Sequence, residues 1–129
     1  MALAQERDAI AREYVTGFSI TFGIGLPALR NARSRGESLS AAIVQTFLTI
    51  LSEVPDTLIV RKKGIKPAQQ VSQLAADVLA MGGVFTAEGQ AGLVKMDNQL
   101  RDKTHALNPG TTADLTAGAT LMALLETSL

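Results

Sequence analysis

Apolar residues along this chain recur three and four positions apart, and a two-residue alternation that would mark a half-buried strand is missing. Ile10, Tyr14, Phe18 and Phe22 stand four apart. Leu39, Ile43, Phe47, Ile50 and Leu51 form an apolar stripe, with Ser38 or Ser40 placed to cap its start. Further on, Val71, Leu74, Ala75, Val78 and Leu79 repeat the pattern behind Pro67 and stop at Gly82-Gly83. Leu58-Ile59-Val60 could make a short buried strand, but a lone strand has nothing to pair with, so 56–64 reads as a helical turn or two ending at Gly64. Pro27 marks a kink or a new first turn, and a short helix runs from there to Ser34, before Gly36. Thr86 and Gly89 introduce a helix from about Glu88 to Thr104, and the turn at 107–111 introduces the last one. The expectation is an all-α fold: one domain over residues 1–129, a bundle of five to seven helices with short loops.

Composition narrows the function. There is no cysteine and one histidine, which leaves oxygen ligands as the means of holding a metal and a hard cation such as Mg2+ as the metal held. Twelve acidic residues balance twelve basic ones and aromatic residues are 4%, so neither the electrostatic footprint nor the stacking platforms of a nucleic-acid binder are present. With 47% hydrophobic residues interrupted by charge throughout, no membrane span is expected, and a cytoplasmic location is the default.

Two stretches could hold an anion. In 107-LNPGTTADLTAG-118, Thr111 and Asp114 stand three apart as in a capping box, while small residues, hydroxyls and N–H groups at a helix start also suit a phosphate. Asn108, Gly110, Thr111 and Thr112 are the binding candidates there, and Asp114 would meet a phosphate through a bound cation. In 54-VPDTLIVRKKG-64, Thr57 and Arg61 share a helix face. Arg61, Lys62 and Lys63 form the densest positive cluster, either a solvated helix end or an anion clamp. Asp97 and Arg101 can pair one turn apart at a surface, and Glu13 sits one turn from the bare backbone of Gly17.

In order, REYVTGF, GLPALRNA, VQTFLTILSEVPDTLIVRKKG, VLAMGG, LVKMDNQLRDK and NPGTTADLTAGATLMALL resemble the C-terminal half of the triphosphoribosyl-dephospho-CoA synthase family. The resemblance rests on Glu13, Gly17 and Phe18, on Leu26 to Leu29, on Asp56, Thr57, Arg61 and Gly64, on Asp97 and Leu100, and on Pro109 to Leu115. It implies an all-helical transferase that moves the triphosphoribosyl group of ATP onto 3'-dephospho-CoA and releases adenine, in the making of a prosthetic-group precursor. Arg61, Lys63, Thr57, Glu13 and the turn at Asn108 to Thr112 would then serve the substrates, and Asp56, Asp97 and Asp114 would serve catalysis and Mg2+.

The family is expected to be about twice as long, with Pro-Lys-Pro-Gly-Leu-Val-Asp and Gly-Ala-His-x-Asp-Met segments that this sequence lacks. The chain is therefore expected to be a fragment, a split subunit needing an N-terminal half or a second subunit, or a shortened descendant. The family's Ser-Pro-Gly-Gly-Ser and Arg-Gly-Gly are here NPGTT and Arg61-Lys62-Lys63. The alternative is a non-catalytic, homodimeric helical module that binds a nucleotide or a protein, and a homo-oligomer is possible on either reading.

Overall fold

The computed structural model describes residues 16–101 and 106–128. Among the described residues the fold holds six complete α-helices and no strand. Residues 16–20 are helical and continue through a π-helical turn, Thr21–Gly25, into α1, Leu26–Ser34. Then come α2 (Leu39–Glu53), α3 (Thr57–Lys63) and α4 (Ile65–Ala80), a 3-10 turn (Gly83–Phe85), α5 (Ala87–Leu100) and α6 (Gly110–Ser128).

The boundaries follow local chemistry. Ser38 caps α2 by accepting from the Ala41 N–H at 3.1 Å, and Thr86 caps α5 by accepting from Gly89 N–H at 3.0 Å. Gly36, Gly64 and Gly82 end their helices at φ of 90°, 96° and 111°, values that favour glycine. Pro67 lies inside the first turn of α4, which opens two residues earlier at Ile65.

One helix bound is corrected. The helix anticipated to Thr104 ends at Leu100, where Arg101 takes an extended conformation (φ −77°, ψ 114°). At Pro27 the expected new first turn is found, since α1 opens at Leu26 with Pro27 as its second residue, directly after the π turn. Proline has no N–H to give and its ring crowds the carbonyl four residues back, so the helix widens just before it, and Leu26 N–H bonds to Thr21 O, five residues away. Gly25 lies on the inner side of that wide turn. A Cβ there would stand 3.0 Å from Ala119 Cβ and 3.3 Å from Ile50 Cδ1, so its absence lets the turn lie against both α6 and α2.

The core takes in Ile50, Leu51, Val71, Ala75 and Val78 of the predicted stripes, whereas Leu39, Phe18 and Phe22 are exposed. Leu48 and Leu51 of α2, Ile59 of α3, Val71 and Val78 of α4 and Met96 of α5 pack as one cluster, and Leu29, Ala32 and Ala42 join α1 to α2. The 3-10 turn is pinned through side-chain amides: Val84 N–H donates to Gln45 Oε1 at 3.0 Å, and Gln90 Nε2 donates to Val84 O at 3.0 Å. Here α5 starts hard against the turn, because a Cβ on Gly89 would overlap the Gly83 carbonyl oxygen.

Since that clash is with backbone, Gly89→Ala must push the 3-10 turn off α5. A destabilisation of about 1–3 kcal/mol is expected, measurable as a lower midpoint in urea with helical circular dichroism retained before the transition.

Candidate functional site

Pro55 ends any continuation of α2, and Asp56 follows with an extended backbone (φ −67°, ψ 124°), the conformation of a helix cap. Its Oδ1 accepts from Leu58 N–H at 2.9 Å and Ile59 N–H at 3.1 Å, which closes the first turn of α3. Its Oδ2 accepts from Thr112 N–H and from the Thr112 hydroxyl, both at 2.7 Å. One carboxylate thus caps two helices, α3 in its own segment and α6 from 56 residues away. It is 2% exposed, as is Thr112. Burial of the charge is met by donors on both oxygens and by the positive ends of two helix dipoles.

This corrects the capping-box expectation. Thr111 lies within α6, which begins at Gly110, and the N–H that needs an acceptor belongs to Thr112 and is served by Asp56. Thr111 instead accepts at 2.8 Å from the Thr57 hydroxyl, at the exposed edge of the same junction. Asp114 points to solvent and is exposed. Gly110 brings the two segments together, since a Cβ on it would stand 2.6 Å from Leu58 Cδ2.

Beside the Asn108-Pro109 turn lies a cavity of about 380 Å³, bordered by Asp97, Arg101 and Asn108 over a floor that includes Phe47 and Leu93. Arg101 donates to Asp97 Oδ2 from Nε at 3.1 Å and from Nη2 at 3.0 Å. Both side chains are more than half exposed, so the pair contributes well under about 1 kcal/mol to stability. Sequence spacing marks that pair as a surface feature, whereas the fold places it across a cavity from Asn108. Arg101 is therefore a site candidate that local pattern misses, because its neighbour arrives through the loop after α5.

The structure brings Asp56, Thr57, Thr111 and Thr112 together, and Asp97 with Asn108. Arg61 and Lys63 are exposed in the last turn of α3, one turn from Thr57. No three acidic or histidine side chains among the described residues converge as a metal site, so Asp56, Asp97 and Asp114 do not meet. Glu13 lies outside the described residues.

The profile of the ATP:dephospho-CoA triphosphoribosyl transferase family matches residues 1–129. The chain belongs to this family. A relative from Klebsiella pneumoniae named 2-(5''-triphosphoribosyl)-3'-dephosphocoenzyme-A synthase is 36% identical over 78% of this chain and 35% of its own length. A protein of Malonomonas rubra, named a probable synthase of the same kind, is 32% identical over 89% of this chain and 36% of its own. One from Pseudomonas fluorescens, so named, is 34% identical over 85% and 37%. The chain spans a little over a third of the length of these transferase relatives, less than the half expected from the resemblance. No solved structure matches it.

Asp56→Ala removes both caps and leaves the Thr112 N–H and hydroxyl buried without an acceptor. A loss of about 3 kcal/mol is expected from these two effects, read as a melting temperature lower by roughly 10 °C for a chain of this size. Thr57→Val, which touches only the exposed hydroxyl pair, should shift the same transition by less than about 0.5 kcal/mol.

Proposed function

We propose that the chain contributes to transfer of the triphosphoribosyl group of ATP to 3'-dephospho-CoA. The N-glycosidic bond of ATP breaks, a bond forms from the ribosyl carbon to a ribose hydroxyl oxygen of the acceptor, and the hydroxyl proton leaves with adenine. Family membership over the whole chain carries this reading.

The residues suit distinct parts of the substrate. A triphosphate would lie along the junction of α3 and α6, where the first turn of α6 presents Thr111 and its hydroxyl with Thr57 beside them, and where Gly110, whose N–H donates to Asn108 O, adds no side chain to block approach. Arg61 and Lys63 would meet its outer oxygens, the guanidinium as a planar two-toothed donor. Asn108 and Asp97 border one cavity, and there they would accept from and, for the Asn108 amide, donate to sugar hydroxyls. Asp56 has each oxygen engaged by two donors, so its part is to set the angle between α3 and α6 rather than to touch the substrate.

Mg2+ would supply neutralisation of the triphosphate charge. That ion is commonly held by one or two carboxylates plus phosphate oxygens and water, which fits exposed Asp114 and Asp97 acting singly. Glu13 is assigned to the substrate side on the resemblance alone. The remaining groups would come from a segment or second subunit bearing the Pro-Lys-Pro-Gly-Leu-Val-Asp and Gly-Ala-His-x-Asp-Met motifs, and the reaction would run in the cytoplasm, where ATP is abundant.

Calorimetric titration with ATP in the presence of magnesium tests the binding assignment. Arg61→Ala should weaken ATP binding at least about tenfold, or 1.4 kcal/mol, and Asp114→Asn should abolish its dependence on magnesium. Titrations left unchanged by both substitutions would remove the anion site from this junction. Adenine release, measured with ATP, magnesium and dephospho-CoA after adding a polypeptide that carries the two missing motifs, tests the reaction itself.

A further inference from the structure

The cavity of about 380 Å³ beside the Asn108-Pro109 turn joins two kinds of surface. Phe47, Leu93, Met96 and Leu100 give it an apolar floor, and Asp97, Arg101 and Asn108 place two charges and an amide at its border. Pockets that hold small molecules run from about 300 to 1,000 Å³, so a cavity at the lower end suits a base with its sugar and not a whole coenzyme. A larger open channel of about 800 Å³ between α5 and α6 shares Phe47, Leu93 and Asp97 with it, and is otherwise lined by aliphatic side chains, Thr116 and Thr120. Both hydroxyls already donate within α6, to Thr112 O at 2.8 Å and to Thr116 O at 2.9 Å. A ring whose nitrogens need donors therefore finds them in the smaller cavity and not in the channel.

Arg101 is the donor there. Its Nε and Nη2 lie 3.1 and 3.0 Å from Asp97 Oδ2, and neither contact uses Nη1. A guanidinium is a planar fork, so an edge held by a carboxylate leaves another edge in a fixed direction for a ligand. Position ties this cavity to the proposed phosphate site. Asn108 and Pro109 border the cavity, and Gly110 and Thr111 follow directly as the start of α6. The turn between them is closed by Gly110 N–H to Asn108 O at 2.9 Å and Ala113 N–H to Pro109 O at 3.1 Å. Three residues span at most about 10 Å, a separation that a nucleoside triphosphate bridges between its base and its outer phosphates.

We propose, on the reading that the chain serves triphosphoribosyl transfer, that the floor of this cavity seats the adenine of ATP and that Arg101, positioned by Asp97, donates to N7 or N3 of the base. Phe47, Leu93, Met96 and Leu100 cover the ring, whose faces gain from apolar and aromatic contact. Asp97 and Asn108 keep the ribose at the border. The same contact serves the chemistry. When the bond from the ribosyl carbon to N9 breaks, its electron pair passes to the purine, and negative charge spreads over the ring nitrogens. A guanidinium already bonded to one of them stabilises that charge without giving up a proton. The proton that neutralises the departing adenine is the one released by the acceptor hydroxyl.

Calorimetric titration of the chain, in magnesium, with ATP, 7-deaza-ATP, 3-deaza-ATP and inorganic triphosphate tests the seat of the base. ATP should bind at least about tenfold more tightly than triphosphate, and replacing N7 or N3 by carbon should cost about tenfold at one of the two positions. Arg101→Met keeps a long side chain without donors. It should bind ATP and that deaza analogue equally, with a melting temperature within about 2 °C of the parent, as for an exposed pair. Arg101→Lys, which keeps a donor, should retain part of the preference. Equal binding of ATP and triphosphate, no loss at either deaza position, or a deaza preference that persists in Arg101→Met would overturn the proposal. If Arg61→Ala then still weakens all four ligands together, the triphosphate assignment stands and the base seat alone is lost. Absence of binding by every ligand removes both.

Discussion

The Asp56 carboxylate ties α3 to the start of α6 across 56 positions of sequence. Without it, α3 is a seven-residue helix, too short to persist by its own hydrogen bonds. The start of α6 would likewise hold a buried N–H and hydroxyl at Thr112 with nothing to accept them. By accepting from both helices, a single buried anion fixes their relative position at a cost that neither would meet alone. The exposed groups that could face a ligand, Thr57 and Thr111, are consequently held hydroxyl to hydroxyl at 2.8 Å. What can bind at the edge of this junction is set by a residue that lies beneath it.

That arrangement explains why the helices were legible and the junction was not. Helix existence and type follow from spacing that is local, as with Ser38 and the stripe through Leu51, or Gly82 and the end of α4. Thr111 and Asp114 present an equally good local pattern, yet the cap comes from Asp56, a stronger acceptor delivered by the fold. Nothing in the immediate neighbourhood of either segment records a bond across 56 positions. The π turn before Pro27 was hidden for a different reason: a proline announces that a regular helix cannot continue unchanged, but packing of Gly25 against Ala119 decides whether the chain breaks or widens.

The candidate site shows the same division. Residue types gathered by resemblance fall into two neighbouring groups, one at the α3–α6 junction and one around Asn108, rather than into one ring of carboxylates. On the proposed reading, a site split in this way would suit a long substrate with a charged tail at one end and sugar hydroxyls at the other. It suits a mononuclear metal cage poorly, since that would need at least three oxygen donors from one small volume.

The two unusual features of α6 are connected. The first turn of α6 is tied down by N–H groups that donate from Gly110 to Asn108 O, from Thr112 to Asp56 Oδ2 and from Ala113 to Pro109 O, and the body of the helix adds its own anchoring. Its body is apolar all round, and on one side Gly25 and Ala119 meet closely enough to fix it to the bundle. The opposite side, with the Ala113, Ala117, Thr120 and Leu124 seam, is left open over α2. Covering that side would remove apolar surface from water and restrict motion of the helix whose start Asp56 caps, so it would stabilise the junction at Asp56 as well.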